Sequence, residues 1–246
     1  MKIFVLDTGD AFTTDRFNTC FIVQDSKGTN LAIECPHPYM KILEQNSSSK
    51  FPEVDKINHV FVSHLHADHF GGLETFAFYK KFIEDKKLTL YVGEDDLKYA
   101  KTALKPAMGT MFDGKEYSDV PFEFYFHEVP MQQKSMRGLG NLIISVKKTN
   151  HYIPSHAIMI RENDVSIAYS SDTIFDKELI DWMDQADIII HEVGSPPGHA
   201  SYKDLCSLPE KTRDKIKLIH YSDTFDGRIF PCLKSGQIIE RVWKIL

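Results

Sequence analysis

Residues 59–72 read HVFVSHLHADHFGG, and His64, His66, Asp68 and His69 place four metal-ligand side chains within six positions, directly after an apolar run. Few folds can use such a cluster. Val60, Phe61 and Val62 are expected to form a buried strand that Ser63 ends, with His64-Leu65-His66 as the turn beyond and Asp68 and His69 opening a helix. In such a turn alternate residues can point the same way, so His64 and His66 can converge on one ion. Asp68 and His69, displaced by the turn, can serve a second. Imidazole nitrogens suit zinc, and carboxylate oxygens also take manganese or iron. Gly71 and Gly72 leave the first helical turn open to close backbone approach.

A metal site needs further ligands at other strand ends, and the sequence supplies them. His151 follows LIISVKKTN, Asp172 follows VSIAYSS, and His220 closes IKLI. Other β-rich runs are KIFVL, CFIVQ, NLAIE, LTLYVG, FEFYFHEV, HAIMI and ADIIIH. Helices are expected over PYMKILEQ, DHFGGLETFAFYKKFIEDKK, EDDLKYAKTAL, DKELIDWMDQ and SYKDLCSLPE, and surface loops over 105–119 and 130–141. Strands first, then alternating strands and helices with no linker, indicate one layered α/β domain over residues 1–246. The low-complexity content stops at one serine triplet, residues 47–49.

Composition narrows the function classes. Twenty-nine Lys+Arg against 35 Asp+Glu give a net charge of −6, which argues against a broad grip on a long polyanion. Cys20, Cys35, Cys206 and Cys232 form no CxxC pair and read as free thiols of a reducing compartment. The N-terminal MKIFVLDTGDAF lacks the apolar core of a signal peptide, and no run reaches membrane-spanning length, so a cytoplasmic protein without a membrane span is expected.

HxHxDH, a single downstream His, an SSDT aspartate and a strand-ending His together resemble the metallo-β-lactamase superfamily, over nearly the whole chain. The resemblance implies a four-layer αββα sandwich with two divalent metal ions at one edge, zinc by default and manganese or iron as alternatives. By position, His64, His66 and His151 would hold the first ion, Asp68, His69 and His220 the second, and Asp172 would bridge them around a shared hydroxide, with Asp68 also a catalytic residue that holds the nucleophile's proton. One departure concerns the Asp-Cys-Gly of the family, which here reads AIECPH. Glu34 can still hydrogen-bond a ligand histidine, and His37 either lines the pocket or lies on the surface.

ADIIIHEVGSPPGHAS resembles the ribonuclease Z branch and its phosphodiesterase relatives, with His191-Glu192 as the strand-ending pair and His199-Ala200-Ser201 as the triplet. The resemblance gives His199 the role of proton donor to a departing alkoxide, with Glu192 to orient and charge it. His199 could instead precede or cap a helix beginning near Ser201. The interval between Glu192 and His199 is shorter than in ribonuclease Z, and the facing of His191 is left open, as is the role of His156.

The long arm with which ribonuclease Z clamps transfer RNA is missing, because HAIMIRENDVSIAYSS leaves room for a β-hairpin alone before Asp172. A small phosphodiester is therefore expected, and long nucleic acid is not. Compact armless relatives include cyclic-nucleotide phosphodiesterases of the anti-Pycsar type, which degrade cyclic pyrimidine signals of antiviral defence. This chain resembles them in length and architecture. The implied reaction is hydrolysis of 3′,5′-cyclic nucleotides to 5′-monophosphates, and the resemblance also implies a homodimer. Met108, Met111, Phe112, Met136 and Arg137 are candidates to cover the base. Two alternatives stand beside it: an RNA 3′-processing nuclease, and a lactone or thioester hydrolase or metal-bound sensor on the same fold.

Overall fold

The apolar runs are nearly continuous because most of the strands are buried on both faces. In β1 (Lys2–Asp7), Ile3 and Val5 face one core while Phe4 and Leu6 face another. The same alternation divides Phe21 and Val23 from Cys20 and Ile22 in β2 (Cys20–Gln24). A computed structural model describes residues 1–46 and 50–240. The serine triplet and the last six positions of the expected domain lie outside them.

After β3 (Asn30–Ile33) and α1 (Tyr39–Gln45) come β4 (His59–Val62), α2 (Ala67–Phe70), α3 (Leu73–Phe82), β5 (Leu88–Gly93) and α4 (Glu94–Met108). A hairpin, β6 (Thr110–Phe112) and β7 (Tyr117–Asp119), precedes β8 (Phe126–Met131), β9 (Met136–Leu139), β10 (Leu142–Thr149), β11 (Ser155–Glu162) and β12 (Val165–Tyr169). The remainder is α5 (Lys177–Met183), β13 (Ile188–Glu192), α6 (Tyr202–Cys206), α7 (Glu210–Arg213), β14 (Ile216–Ile219) and β15 (Ile238–Ile239).

One sheet has the order β15-β1-β2-β3-β4-β5-β8 and the other β14-β13-β12-β11-β10-β9. Three apolar clusters define four layers. Tyr39, Phe76 and Leu104 of the helices pack on the outer face of the first sheet. Phe21 and Phe61 meet Ile158 and Tyr169 between the sheets. Leu179, Met183 and Leu205 cover the outer face of the second. The architecture is thus the αββα sandwich of the metallo-β-lactamase fold. Among the described residues no helix is long and apolar enough to cross a membrane.

Strand direction decides where the chemistry gathers. β3 and β4 are parallel in the first sheet, and β12, β13 and β14 are parallel in the second. β10 is antiparallel to β11, which is antiparallel to β12, so β10 and β12 run the same way. Their C-terminal ends share a rim. The β11–β12 connection is a hairpin turning at Asn163 and Asp164, as the missing arm requires.

Several boundaries differ from the sequence reading. The helix expected over 68–87 is two, because the Gly72 N–H donates to the Cys35 carbonyl at 2.8 Å and a Cβ on Gly72 would collide with Pro36. Phe122–Phe124 forms a 3₁₀ turn instead of opening the β8 strand. The 105–119 loop contains the end of α4 and the β6–β7 hairpin, and 130–141 contains β9. SYKDLCSLPE splits into α6 and the start of α7.

Candidate metal centre and active-site cleft

All seven side chains expected to hold metal come together at that rim. His64 and His66 follow β4, His151 lies between β10 and β11, Asp172 follows β12, and His220 follows β14. Three non-glycine residues just past strand ends, Glu34, Ser171 and His220, have φ of 65°, 53° and 56°. This left-handed backbone costs free energy and turns the chain sharply at the site.

His64, His66, His151 and Asp172 form one donor cluster, and Asp68, His69, Asp172 and His220 the other. Within the first, His66 Nδ1 stands 3.0 Å from His64 Nε2 and 3.2 Å from His151 Nε2. Nitrogens on a tetrahedral ion at about 2.0–2.1 Å would be about 3.3 Å apart, so the spacing fits such an ion. In the second, His69 Nε2 is 3.3 Å from both Asp68 Oδ2 and Asp172 Oδ1, and His220 Nε2 is 3.4 Å from Asp172 Oδ2. Asp68 Oδ2, His69 Nε2, Asp172 Oδ1 and His220 Nε2 are buried without a hydrogen-bond partner. Orphaned donors of this kind are costly unless an ion satisfies them. The donor set fits a dinuclear metal site with Asp172 common to both halves.

The surroundings fix the tautomer of His151 and set a carboxylate beside His69. The His151 Nδ1–H donates to the Gly198 carbonyl at 2.8 Å, which leaves Nε2 free to face the cluster. Glu34 Oε1 lies 3.2 Å from His69 Nδ1, and Glu34 Oε2 accepts the Ser63 N–H at 3.1 Å. The longer side chain in the AIECPH segment therefore still reaches a ligand-type histidine. Burial drives the His64 imidazole well below its usual range, toward the neutral form an ion requires. Burial also opposes charge on His69, but the Asp172 and Glu34 carboxylates outweigh it and hold the group well above. For Asp172, burial is overcome by His220 and His69, which keep the carboxyl well below its usual range.

His199 and Glu192 are brought together despite their short interval. The Gly194 N–H donates to the Ala200 carbonyl at 3.0 Å and closes the loop that follows β13. Glu192 Oε1 then lies 3.3 Å from His199 Nδ1 and accepts the N–H groups of Thr173 and Ala200 at 3.0 and 3.2 Å. Gly194 leaves room for the His199 ring, which a Cβ would meet. Ser201 caps α6, accepting the Asp204 N–H at 3.1 Å, so the helix does not need His199 as its cap. Burial pushes the Glu192 carboxyl up to about 7. Burial alone would lower His199, but its hydrogen bond to Glu192 and the charge of that carboxylate raise it.

The remaining histidines lie elsewhere. His191 is buried and its Nδ1–H donates to the Glu192 carbonyl at 2.6 Å. His156 pairs with Asp96 at 3.1 Å, both buried, where Gly93 has no Cβ to obstruct them. His37 is exposed and lies outside the cleft lining.

A cleft of about 770 Å³ covers both clusters, within the range of small-molecule sites. Among the described residues, its lining contains no lysine or arginine. It also contains none of Met108, Met111, Phe112, Met136 and Arg137, which corrects the expected base cover. Met108 is instead core of α4, packed beneath a separate cleft of about 370 Å³. Phe12, Tyr152 and Phe225 line the larger cleft, and sequence reasoning missed all three. Single aromatics on short loops have no periodicity to reveal them.

Strand order, four layers and paired donor clusters define a protein of the metallo-β-lactamase fold. A solved protein of that fold, YhfI from Bacillus subtilis, superposes with a TM-score of 0.77 at 16% identity, covering 97% of this chain and 98% of that one. The family described as Anti-Pycsar protein Apyc1 matches residues 1–237, and the chain belongs to that family. A member from Paenibacillus harenae is 32% identical over 236 residues, 92% of each chain. The chain is also similar to the cAMP/cGMP-dependent 3′,5′-cAMP/cGMP phosphodiesterase B of Dictyostelium discoideum, 27% identical over 70% of this chain and 16% of that protein.

Proposed function

We propose that this protein is a metal-dependent phosphodiesterase that hydrolyses 3′,5′-cyclic nucleotides to 5′-monophosphates, and so removes cyclic-nucleotide immune signals. The observation that carries the reading is the pair of donor clusters sharing Asp172, with the His199–Glu192 pair beside them. Family membership and the named activity of the Dictyostelium relative support it.

His64, His66 and His151 would hold one ion and Asp68, His69 and His220 the other, with Asp172 between. The nitrogen-rich set suits zinc, with manganese or iron as alternatives. Bound there, two divalent ions would neutralise phosphate oxygens and lower the pKa of an attacking water. The Gly198 carbonyl orients His151 by accepting its Nδ1–H, and the Glu34 carboxylate faces His69 Nδ1 at 3.2 Å. Glu192 holds a proton on His199, which lines the cleft. As the phosphorus–O3′ bond breaks and water supplies the new oxygen on phosphorus, the proton on the opposite ring nitrogen, Nε2, passes to O3′ while the Nδ1 proton stays with Glu192.

A lining without lysine or arginine among the described residues supports a small phosphodiester over a polymer. Free cysteines are in keeping with a cytoplasmic protein. The exposed hairpin residues Phe112 and Tyr117, 5.0 Å apart, support a homodimer that covers them, which sedimentation tests directly.

The test of the activity is product analysis for a panel of 3′,5′-cyclic mononucleotides with metal-loaded protein. Formation of 5′-monophosphates, lost in Asp68→Ala and sharply slowed in His199→Ala, is the expected result. Survival of every cyclic nucleotide while an aryl phosphodiester is cleaved would exclude this substrate class and turn attention to RNA 3′ ends.

A further inference from the structure

The cleft has two aromatic lips for which the chemistry above has no use. Phe12 sits between β1 and β2 and is 89% exposed; Tyr152 sits between β10 and β11 and is 62% exposed. Both line the cleft that covers the donor clusters. They come from different sheets, and neither contributes a buried side chain to the core.

Phe12 is exposed, yet its loop is tied down. The Asp223 carboxylate, three residues past His220, accepts the Thr13 hydroxyl at 2.5 Å and the Thr14 and Asp15 N–H groups at 2.6 and 3.2 Å. It also pairs with Arg16 Nε at 3.2 Å. Within the loop, the Asp10 side chain accepts the Phe12 N–H at 3.0 Å and the Asp10 carbonyl accepts the Asn18 amide at 2.6 Å. Tyr152 is fixed differently. Its ring lies against Gly198, where any Cβ would collide with it, and the Gly198 carbonyl holds the neighbouring His151.

Aromatic side chains kept exposed on anchored loops lose little conformational freedom when a ligand arrives. A flat π face beside a phosphate-binding centre suits a nucleobase, because every base can stack on it. We propose that Phe12 and Tyr152 form a base-stacking clamp over the cleft, and that Asp223 is the positioning residue that holds Phe12 in place. The proposal deepens the phosphodiesterase reading and rests on it for the nucleotide nature of the ligand.

The experiment combines calorimetric binding of a hydrolysis-resistant cyclic-nucleotide phosphorothioate with steady-state kinetics. Kinetic substrates are a 3′,5′-cyclic nucleotide and ribose 3′,5′-cyclic phosphate, which has no base. Phe12→Leu and Tyr152→Leu should each weaken phosphorothioate binding about tenfold or more, and Phe12→Tyr should retain it within about threefold. The nucleotide KM should rise likewise with kcat nearly held, while KM for the baseless substrate rises less than about threefold. Asp223→Asn should raise the nucleotide KM in the same selective way, and adding Phe12→Leu should bring little further loss. Unchanged phosphorothioate binding in the Leu variants overturns the clamp. So does equal damage to the baseless substrate, or the absence of any nucleotide binding to the wild-type protein. Binding that depends on Phe12 without turnover would uphold the clamp and defeat the phosphodiesterase reading.

Discussion

His199 Nδ1 and Glu192 Oε1 stand 3.3 Å apart, and Glu192 is fully buried while His199 lines the cleft. A buried carboxylate behind an accessible imidazole keeps a proton where a leaving oxygen can collect it.

That arrangement predicts a dependence on the leaving group. His199→Ala should lower kcat about 10²–10⁴-fold for a cyclic nucleotide, whose alkoxide needs a proton. For a p-nitrophenyl phosphodiester, whose anion leaves unaided, the loss should be below about tenfold. Equal losses on both substrates would assign His199 to binding instead of proton transfer.

Asp172 belongs to both donor clusters, whereas Asp68 belongs to one. Asp68→Ala should retain about one zinc ion per chain and Asp172→Ala should retain neither, as read by elemental analysis after dialysis. Because the ligands come from both sheets, chelation of the wild-type protein should also lower Tm by several degrees. Two ions retained by Asp172→Ala would contradict the shared site.

His191 predicts a pH dependence of stability. Burial holds its imidazole down at about 4, against about 6.5 in an unfolded chain. The unfolded state therefore binds the proton first. Its contribution is complete above about pH 6.5 and is lost as pH falls toward about 4, with about 2 kcal/mol gone by pH 5. His191→Asn, which can still donate to the Glu192 carbonyl, should lose about that much less between pH 7.5 and pH 5 in urea unfolding. An unchanged pH slope would clear His191 of the effect.

Gly198→Ala should act on the site from outside the ligand set. The added methyl meets the Tyr152 ring, and relief must move either that ring or the carbonyl that holds His151. About 1–3 kcal/mol of stability should be lost, together with at least tenfold in kcat/KM. Wild-type kinetics in this variant would show that the loop absorbs a methyl without disturbing His151.

The metal cluster was legible in the sequence because ligands follow strands whose two buried faces make them conspicuous. Reading HVFVSHLHADH required only that Val60 and Val62 pack outward and Phe61 inward, as they do. The break between α2 and α3 was hidden, since it depends on the approach of Pro36 and Cys35, distant in sequence, to Gly72. The Glu192–His199 contact depends on one loop-closing bond between Gly194 and Ala200 that no local pattern announces. The methionines misled for the opposite reason. Met108 resembles a loop residue beside Gly109, yet α4 continues through Pro106 and buries it.

The rim of strand ends and the loop at residues 10–19 are built from separate parts of the chain, joined to one another through Asp223. Descendants of this scaffold can therefore rewrite the loop, and with it what the cleft admits, while the strand ends that carry the donor clusters stay as they are. That division lets selectivity drift at the mouth of the cleft without disturbing the donor atoms at its floor.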